Sequence, residues 1–208
     1  MILNKKDYYL YRTADKIMGG NDHRSFFYKL KQHLYPDEIE RFMYLLRISE
    51  YFKNTSSTIL GRMLFYYYYF LYKRVSLKLG FSIPLNVFGP GLLIPHYGTI
   101  VVNANTTIGK CCVMHTCVCI AGNGYTEIGD FAYLSKGVTI FGELTIADSV
   151  TISANSFVNK SCSSKNVLLG GMPARILKKR DSWHIVDGDI YKKRVEKINL
   201  LLENALFV

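Results

Sequence analysis

The sequence has no hydrophobic run long enough to cross a membrane, and no apolar segment near its start of the kind that directs secretion. Its longest uncharged aromatic stretch lies between Arg62 and Lys73 and holds about ten residues, whereas a spanning helix needs about 20. We therefore expect a cytoplasmic protein. Two interpretations stay open for the tyrosine-rich part of this stretch, Phe65 to Tyr72: packing on neighbouring helices, or contact with the inner face of a membrane.

Paired cysteine motifs are also missing. The sequence has five cysteines, an odd number, and no Cys-x-x-Cys pair. Four of them fall within nine residues, in the segment from Cys111 to Cys119, and the fifth is Cys162. This pattern predicts reduced thiols that serve as small apolar packing residues, and it predicts no metal site.

Charge is scarce in the middle of the chain and concentrated before it. The net charge is +10, and residues 1–80 hold 14 Lys and Arg against 7 Asp and Glu. A basic N-terminal part favours an anionic partner such as an acidic glycan or a phospholipid surface. No nucleic-acid partner is expected, because no recognition motif accompanies the charge.

The sequence predicts helices on both sides of a central region with a different period. The predicted N-terminal helices run from about Asn4 to Met18, from Ser25 to Leu34, from Pro36 onward, and from about Ser57 to Leu79 with Gly80 as the terminating glycine. A C-terminal helix is predicted from about Ile190 to Phe207, with Asp189 as its N-cap.

Between these helices, aliphatic residues recur every six residues. Three such runs occur, offset by two residues near Val101 and again around Gly122 to Tyr125. The runs consist of Ile94 and Ile100; of Val102, Ile108, Met114 and Ile120; and of Ile128, Leu134, Ile140, Ile146, Ile152 and Val158. The residue after the aliphatic one is often small.

A six-residue period does not fit an α-helix, because six is not a multiple of 3.6 and the apolar stripe would rotate away. It fits a triangular coil with three short sides, each with its aliphatic residue pointing inward, and coils that stack as parallel strands. Residues 81–172 provide about five coils of 18 residues. The alternative is a β-sandwich with coincidental spacing, which the fixed step disfavours.

Two further motifs accompany the hexads: the segment Gly89 to Val102, which contains Pro95-His96-Tyr97-Gly98, and the closing Gly170 to Ile176. Together with the hexads they resemble the hexapeptide-repeat acyltransferases, and most of all the serine acetyltransferases and their relatives that acetylate capsular polysaccharides. The resemblance implies a left-handed parallel β-helix, acetyl-CoA as co-substrate, and a homotrimer with sites at subunit junctions. It also implies an α-helical region over residues 1–80, the β-helix over 81–172, and a C-terminal turn and helix over 173–208.

The resemblance also implies site residues. His96 falls at the catalytic position and is expected to act as the base that activates an acceptor hydroxyl, although a lone histidine in such a chain is more often structural. His115 should lie one coil further on, as a substrate contact or orienting group, or else as a corner residue facing solvent. Tyr125 aligns with a second histidine of the family and is expected to bind substrate. Positions expected to bind acetyl-CoA are Lys136, Ala154, Asn159, Lys160 and Lys178.

Two departures from the family concern the acceptor. Serine acetyltransferases usually carry an aspartate immediately before the catalytic histidine and another fifteen residues before it, and here these positions are Pro95 and Phe81. We therefore expect the hydroxyl of a surface-polysaccharide sugar or its precursor as acceptor, with serine as the alternative.

Two other classes of protein share this fold. A β-helix carbonic anhydrase would need three histidine ligands, and the repeat region has only His96 and His115. A non-catalytic β-helix scaffold remains the alternative of another class.

Overall fold

The computed structural model describes residues 1–21 and 37–206. The predicted helix from Ser25 to Leu34 lies outside the described residues, as do Pro36 and Phe207. Among the described residues, no helix combines the length and the apolar character needed to cross a membrane.

Three long helices form most of the described N-terminal part. They are α1 (Lys5–Met18), α2 (Glu38–Thr55) and α3 (Ile59–Leu79). Each begins after a residue whose side chain accepts hydrogen bonds from first-turn N–H groups: Asn4, Asp37 and Thr58. The three predicted helices that fall on described residues are confirmed, and their starts differ by one or two residues because these cap residues lie just outside the helix. Gly80 ends α3 in the left-handed conformation, with φ 80°.

The repeat region forms a three-walled parallel β-helix of about five coils, as the hexads predict. The first wall contains β1 (Phe81–Ser82), β2 (Ile100–Val102), β5 (Cys119–Ala121), β8 (Thr139–Phe141) and β11 (Phe157–Val158). The second wall contains β3 (Thr106–Ile108), β6 (Thr126–Ile128) and β9 (Leu144–Ile146). The third wall contains β4 (Val113–Met114), β7 (Tyr133–Leu134), β10 (Val150–Ile152), β12 (Val167–Gly171) and β13 (Ala174–Lys179).

Strand register locates both two-residue insertions at corners. Leu93 bridges Val113, 20 residues further on, whereas Val102 pairs with Ile120, 18 residues further on. Two additional residues therefore lie between Leu93 and Val102, in the corner that carries His96. The second insertion follows Ala121, because Ala121 pairs with Phe141 at a separation of 20 while Thr126 pairs with Leu144 at 18.

The inward-facing positions of the hexads form one continuous core. All twelve predicted aliphatic residues are buried, with no more than 4% of their surface exposed. The position four residues after them is also buried where it holds a small or β-branched side chain: Thr106, Cys112, Val118, Ala132, Val138, Val150 and Ser156. The predicted register is confirmed.

The C-terminal part adds elements that the sequence pattern did not indicate. After Gly171 the chain turns back, and β13 pairs antiparallel with β12 along the third wall. The short helix α4 (Trp183–Val186) follows, and then α5 (Asp189–Leu206), which includes Asp189 itself rather than starting after it. Trp183 is buried in a small core that joins α5 to α1 and the third wall. The C-terminal helix therefore packs on α1 and on the β-helix.

A buried arginine joins the N-terminal helices to the first coil. Arg47 of α2 has no exposed surface, and all five of its N–H donors have acceptors. Its Nε and one terminal nitrogen donate to the carboxylate of Asp15 at 2.8 and 3.3 Å. Its other bonds go to Glu50 at 3.0 Å and to the carbonyls of Phe88 and Gly89 at 2.9 and 2.7 Å.

The two buried carboxylates hold the same stretch of backbone. Asp15 accepts from the N–H groups of Gly91 and Leu92 at 2.9 and 3.0 Å, and Glu50 accepts from the N–H of Asn86 at 2.7 Å. Residues 86–92 lead directly into the corner that carries His96. The network therefore fixes the segment from which this corner starts.

Candidate active site

One corner of the β-helix collects several of the residues that the sequence analysis singled out. It connects the third wall to the first wall and is formed in successive coils by residues 95–99, 115–118, 135–138 and 153–156; we call it the histidine edge. The next corner connects the first wall to the second and is formed by residues 103–105, 122–125, 142–143 and 159–161; we call it the insertion edge.

His96 and His115 lie on the histidine edge in adjacent coils. Their ring centroids are 6.5 Å apart and their planes are inclined by 42°. The side chain of His96 is exposed and that of His115 is half-buried. No hydrogen bond to the His96 ring is found among residues 1–21 and 37–206, so its nitrogens are free to contact a substrate.

His115 is held by a residue that the sequence analysis missed. Its Nε2 lies 2.8 Å from the hydroxyl of Tyr133, which is one coil further on, 18 residues later. Burial, and then the charge of nearby His96, lower the pKa of His115 below its usual value of 6.5, so the ring is neutral at neutral pH. Tyr133 packs in turn against buried Trp183, at 6.1 Å between centroids. The coil between these two residues holds 20 residues and pairs Tyr133 with Val113, so counting coils does not assign Tyr133 to His115.

An open cleft adjoins His96 and is shared with the N-terminal helices. It is lined by the beginning of α2, the end of α3 and the histidine corner: Asp37, Glu38, Ile39, Lys78, Leu79, Pro95, His96 and Tyr97. Glu38 binds Lys78 through one carboxylate oxygen at 2.6 Å, while its other oxygen is buried without a hydrogen bond among the described residues. A carboxylate is thus present in the cleft, although the position before His96 is proline.

Phe81, the second position at which the sequence departs from the family pattern, has a structural role. Phe81 is buried, pairs with Ile100 in the first wall, and meets Phe42 of α2 edge-to-face with centroids 5.0 Å apart. It fills the junction between the helices and the first coil. A carboxylate at this position would be buried among apolar residues without a partner.

The expected acetyl-CoA residues divide between the two edges. Lys136 and Ala154 are exposed on the histidine edge in successive coils, where the N–H of Asn155 donates to the carbonyl of Lys136 at 2.9 Å. Asn159 and Lys160 are exposed on the insertion edge instead.

Two other expected binding residues also lie away from His96 within the single chain. Tyr125 is on the insertion edge, where its hydroxyl lies 2.7 Å from that of Thr107. Lys178 is exposed in β13, opposite Leu168. One chain therefore brings His96, His115, Lys136 and Ala154 to a common edge, and leaves Tyr125, Asn159, Lys160 and Lys178 elsewhere.

The cysteine segment is only partly packing material. Cys111 and Cys112 are buried, and burial raises the pKa of the Cys111 thiol to about 12. Cys117, in contrast, is exposed at the histidine edge, so the prediction of small apolar packing is wrong for this residue. Cys117 lies in the corner between β4 and β5, and not at an inward-facing position of a strand. Within the described part of the chain, no three His, Cys, Asp or Glu side chains are grouped so as to hold a metal ion.

Comparisons with known proteins identify one group of relatives. No protein-family model matches the sequence. Serine acetyltransferase 2 of Arabidopsis thaliana is 30% identical over 115 residues, which are 52% of this chain and 35% of that protein. The chain spans between about a third and a half of the length of the curated relatives that it matches.

Solved structures resemble the chain over more of its length. The crystal structure of Neisseria gonorrhoeae serine acetyltransferase matches with a TM-score of 0.65 and 22% identity, over 89% of this chain and 72% of that one. A serine acetyltransferase structure in complex with CoA matches with a TM-score of 0.60 and 18% identity, over 83% of this chain and 71% of that one. The chain is therefore similar in sequence to serine acetyltransferases over about half of its length, and it shares the left-handed β-helix fold of their structures.

Proposed function

We propose that the protein is an acetyl-CoA-dependent O-acetyltransferase in which His96 is the general base. The observation that carries the proposal is the exposed imidazole of His96, which faces His115 across adjacent coils and opens onto a cleft. The β-helix around it is similar to that of proteins named serine acetyltransferase, one of them in complex with CoA. General bases of this kind need an accessible, neutral imidazole.

The proposed reaction is a direct transfer. The acceptor oxygen attacks the thioester carbonyl of acetyl-CoA while a ring nitrogen of His96 takes the hydroxyl proton. The carbon–sulfur bond then breaks, and the proton passes to the departing sulfur, which leaves as the CoA thiol. His115, kept neutral by burial and hydrogen-bonded to Tyr133, would donate or accept a hydrogen bond beside the acceptor without adding a positive charge next to His96.

A homotrimer would bring the two edges together. The first wall lies between them, and its outer surface carries exposed Val101 and Phe141 and the partly exposed Cys119 and Phe157. If three copies packed these walls around a three-fold axis, the histidine edge of each chain would face the insertion edge of a neighbour.

That junction would complete the acetyl-CoA site. Lys136 and Ala154 from one chain would lie opposite Tyr125, Asn159 and Lys160 from the next. The small side chain of Ala154 would let the pantetheine arm approach the backbone, and the lysines would meet CoA phosphates as point charges. Lys178, at the end of the third wall, would also contact CoA.

Two acceptors are compatible with the cleft. L-serine is favoured by the comparisons, since the similar proteins are named serine acetyltransferases, and by Glu38, whose carboxylate would attract an amino group. The hydroxyl of a surface-polysaccharide sugar, or of its precursor, is favoured by Pro95 and Phe81, which stand where the family carries aspartates. Serine is therefore the better supported acceptor and the sugar hydroxyl the second candidate. Either reaction would run in the cytoplasm, where acetyl-CoA is available.

A thiol-release assay with acetyl-CoA separates these possibilities. Release with L-serine and not with sugars would establish serine as acceptor, and release with a sugar alone would establish the second candidate. Glu38→Gln should raise KM for serine and leave KM for a sugar unchanged, whereas Glu203→Gln, on the exposed side of α5, should change neither. Release with no acceptor of either kind would contradict the transferase proposal and favour a non-catalytic scaffold.

The shared site has its own test. Trimers formed by mixing equal amounts of His96→Ala and Tyr125→Ala/Lys160→Glu chains would contain about a quarter of junctions with both edges intact. We expect the mixture to recover activity that neither variant has alone. No recovery, with mixed trimers demonstrated, would contradict a site between subunits.

A further inference from the structure

Helix α3 presents an apolar face to solvent. At 100° per residue, its buried side chains, Tyr72, Val75, Ser76 and Leu79, lie on one side of the helix. The opposite side is also apolar rather than polar, with exposed fractions between 58% and 82%: Ile59, Leu60, Met63, Tyr66, Tyr67, Phe70 and Leu77. A contiguous exposed patch of this kind on a soluble protein marks an interaction surface.

The charges on α3 all have one sign. The helix contains four Lys and Arg residues and neither Asp nor Glu. At 100° per residue, Arg62 and Lys73 lie at one border of the apolar face and Lys78 lies at the other. Arg74 lies within the face, with its guanidinium 5.7 Å from the centre of the Phe70 ring. Lys78 is paired with Glu38, which leaves the other three cations of the helix for another partner. Long basic side chains at such borders can extend toward a charged layer while their stems cover apolar surface.

We propose that this face docks on an anionic lipid bilayer surface, with α3 lying in the plane of the membrane. Apolar and aromatic side chains would enter the interfacial layer, where tyrosine is favoured, and the border cations would contact anionic headgroups. A second copy of this chain fits the face less well. A two-fold contact would set the cations of one α3 against those of the other, and the helix offers no acidic residue to pair with them.

The position of the cleft gives this docking a consequence that rests on the proposed function. Lys78 and Leu79, at the C-terminal end of α3, line the same cleft as His96. A helix of 21 residues is about 31 Å long, so its end would hold the cleft beside the bilayer when the face is docked. Docking itself does not depend on the acetyltransferase activity and is measured without substrate.

Flotation of the full chain with vesicles tests the proposal. Vesicles of phosphatidylglycerol with phosphatidylcholine should carry the protein, whereas phosphatidylcholine alone should carry much less. Binding should weaken as salt shortens the screening length from about 10 Å at 0.1 M to about 3 Å at 1 M. Arg62→Gln/Lys73→Gln/Arg74→Gln should weaken binding roughly a hundredfold, at about fivefold per cation.

The apolar half of the proposal needs a separate variant. Met63→Glu/Phe70→Glu should abolish flotation while the circular dichroism spectrum and melting temperature stay unchanged, because both side chains are exposed. Leu200→Glu is the matched control, since Leu200 on α5 is exposed by 58%, as is Phe70. Lys192→Gln/Lys193→Gln, on the same helix as Leu200, controls for loss of positive charge. Both controls should float as the wild type does.

Three results would overturn the proposal. The first is equal or absent flotation of the wild type with the two kinds of vesicle. The second is unchanged flotation of Met63→Glu/Phe70→Glu. The third is a larger assembly of the wild type in light scattering that this variant dissociates, which would show that a second copy covers the face.

Discussion

Replacing Arg47 with methionine should destabilise the protein more than any change at an exposed charge. The guanidinium is fully buried, and its removal would leave the carboxylates of Asp15 and Glu50 in the interior without a counter-ion. Breaking a buried pair by removing one partner costs about 3–5 kcal/mol. For a protein of this size, that corresponds to a fall in melting temperature of roughly 10 °C.

The pH dependence of the variant identifies the cause. Burial raises the pKa of Glu50 above its usual value of 4.5, and Arg47 and the N–H of Asn86 oppose this rise. Without Arg47 the pKa of Glu50 should rise further, so between about pH 5 and 7 the folded variant would bind a proton that the unfolded chain lacks. The stability of the variant relative to wild type should therefore improve as the pH falls from 7 to 5.

Urea unfolding at both pH values measures these effects. Arg41→Met is the matched control. Arg41 is about half exposed and its ion pair with Glu38 is long, at 3.9 Å, so its loss should lower the free energy of unfolding by less than about 0.5 kcal/mol. A loss below about 1 kcal/mol for Arg47→Met, or a deficit that does not shrink at pH 5, would refute the reasoning.

Three further changes probe the β-helix and the histidine edge. Ile140→Asp puts an unpaired carboxylate into the core and should prevent soluble expression, while Thr145→Asp on the exposed side of the next strand should not; a normally melting Ile140→Asp protein would refute the register. Because the pKa of His115 is lowered, stability should fall as the pH drops from 7 to 5, and His115→Asn should reduce this fall in urea titrations; an equal fall would contradict it. Tyr133→Phe removes the 2.8 Å hydrogen bond to His115 and should lower the free energy of unfolding by about 1 kcal/mol, measured by urea titration. An unchanged free energy of unfolding would show that this bond does not stabilise the fold.

The β-helix could be predicted because every coil repeats the same physical requirement. An inward position such as Ile140 must be aliphatic, and a six-residue step reveals which positions face inward. Strand β13 could not be predicted in this way, because Ala174–Lys179 is largely exposed and pairs along one side only, so no apolar alternation marks it. The helix starts were offset because a cap such as Asp37 resembles a first-turn residue in sequence.

Only those residues of the candidate site that lie within the hexad repeats could be positioned from the sequence. Counting coils places His115 beside His96, but it pairs Tyr133 with Val113 and so does not reveal the bond between Tyr133 and His115. Glu38 and Lys78 enter the cleft from α2 and α3, which lie before the repeats. Arg47 joins α2 to the first coil, and Tyr72 of α3 donates a hydrogen bond to the carbonyl of Ile83; no sequence period marks either contact. The sequence of one chain likewise cannot reveal which edges meet between subunits, so Tyr125 stays a prediction.

The most direct test of the central claim is the turnover of His96 variants. His96→Ala and His96→Asn should each lower kcat for acetyl transfer from acetyl-CoA by about 10²- to 10⁴-fold, with unchanged melting temperature and oligomeric state. Turnover close to that of the wild type in either correctly folded variant would contradict the role of His96 as the base.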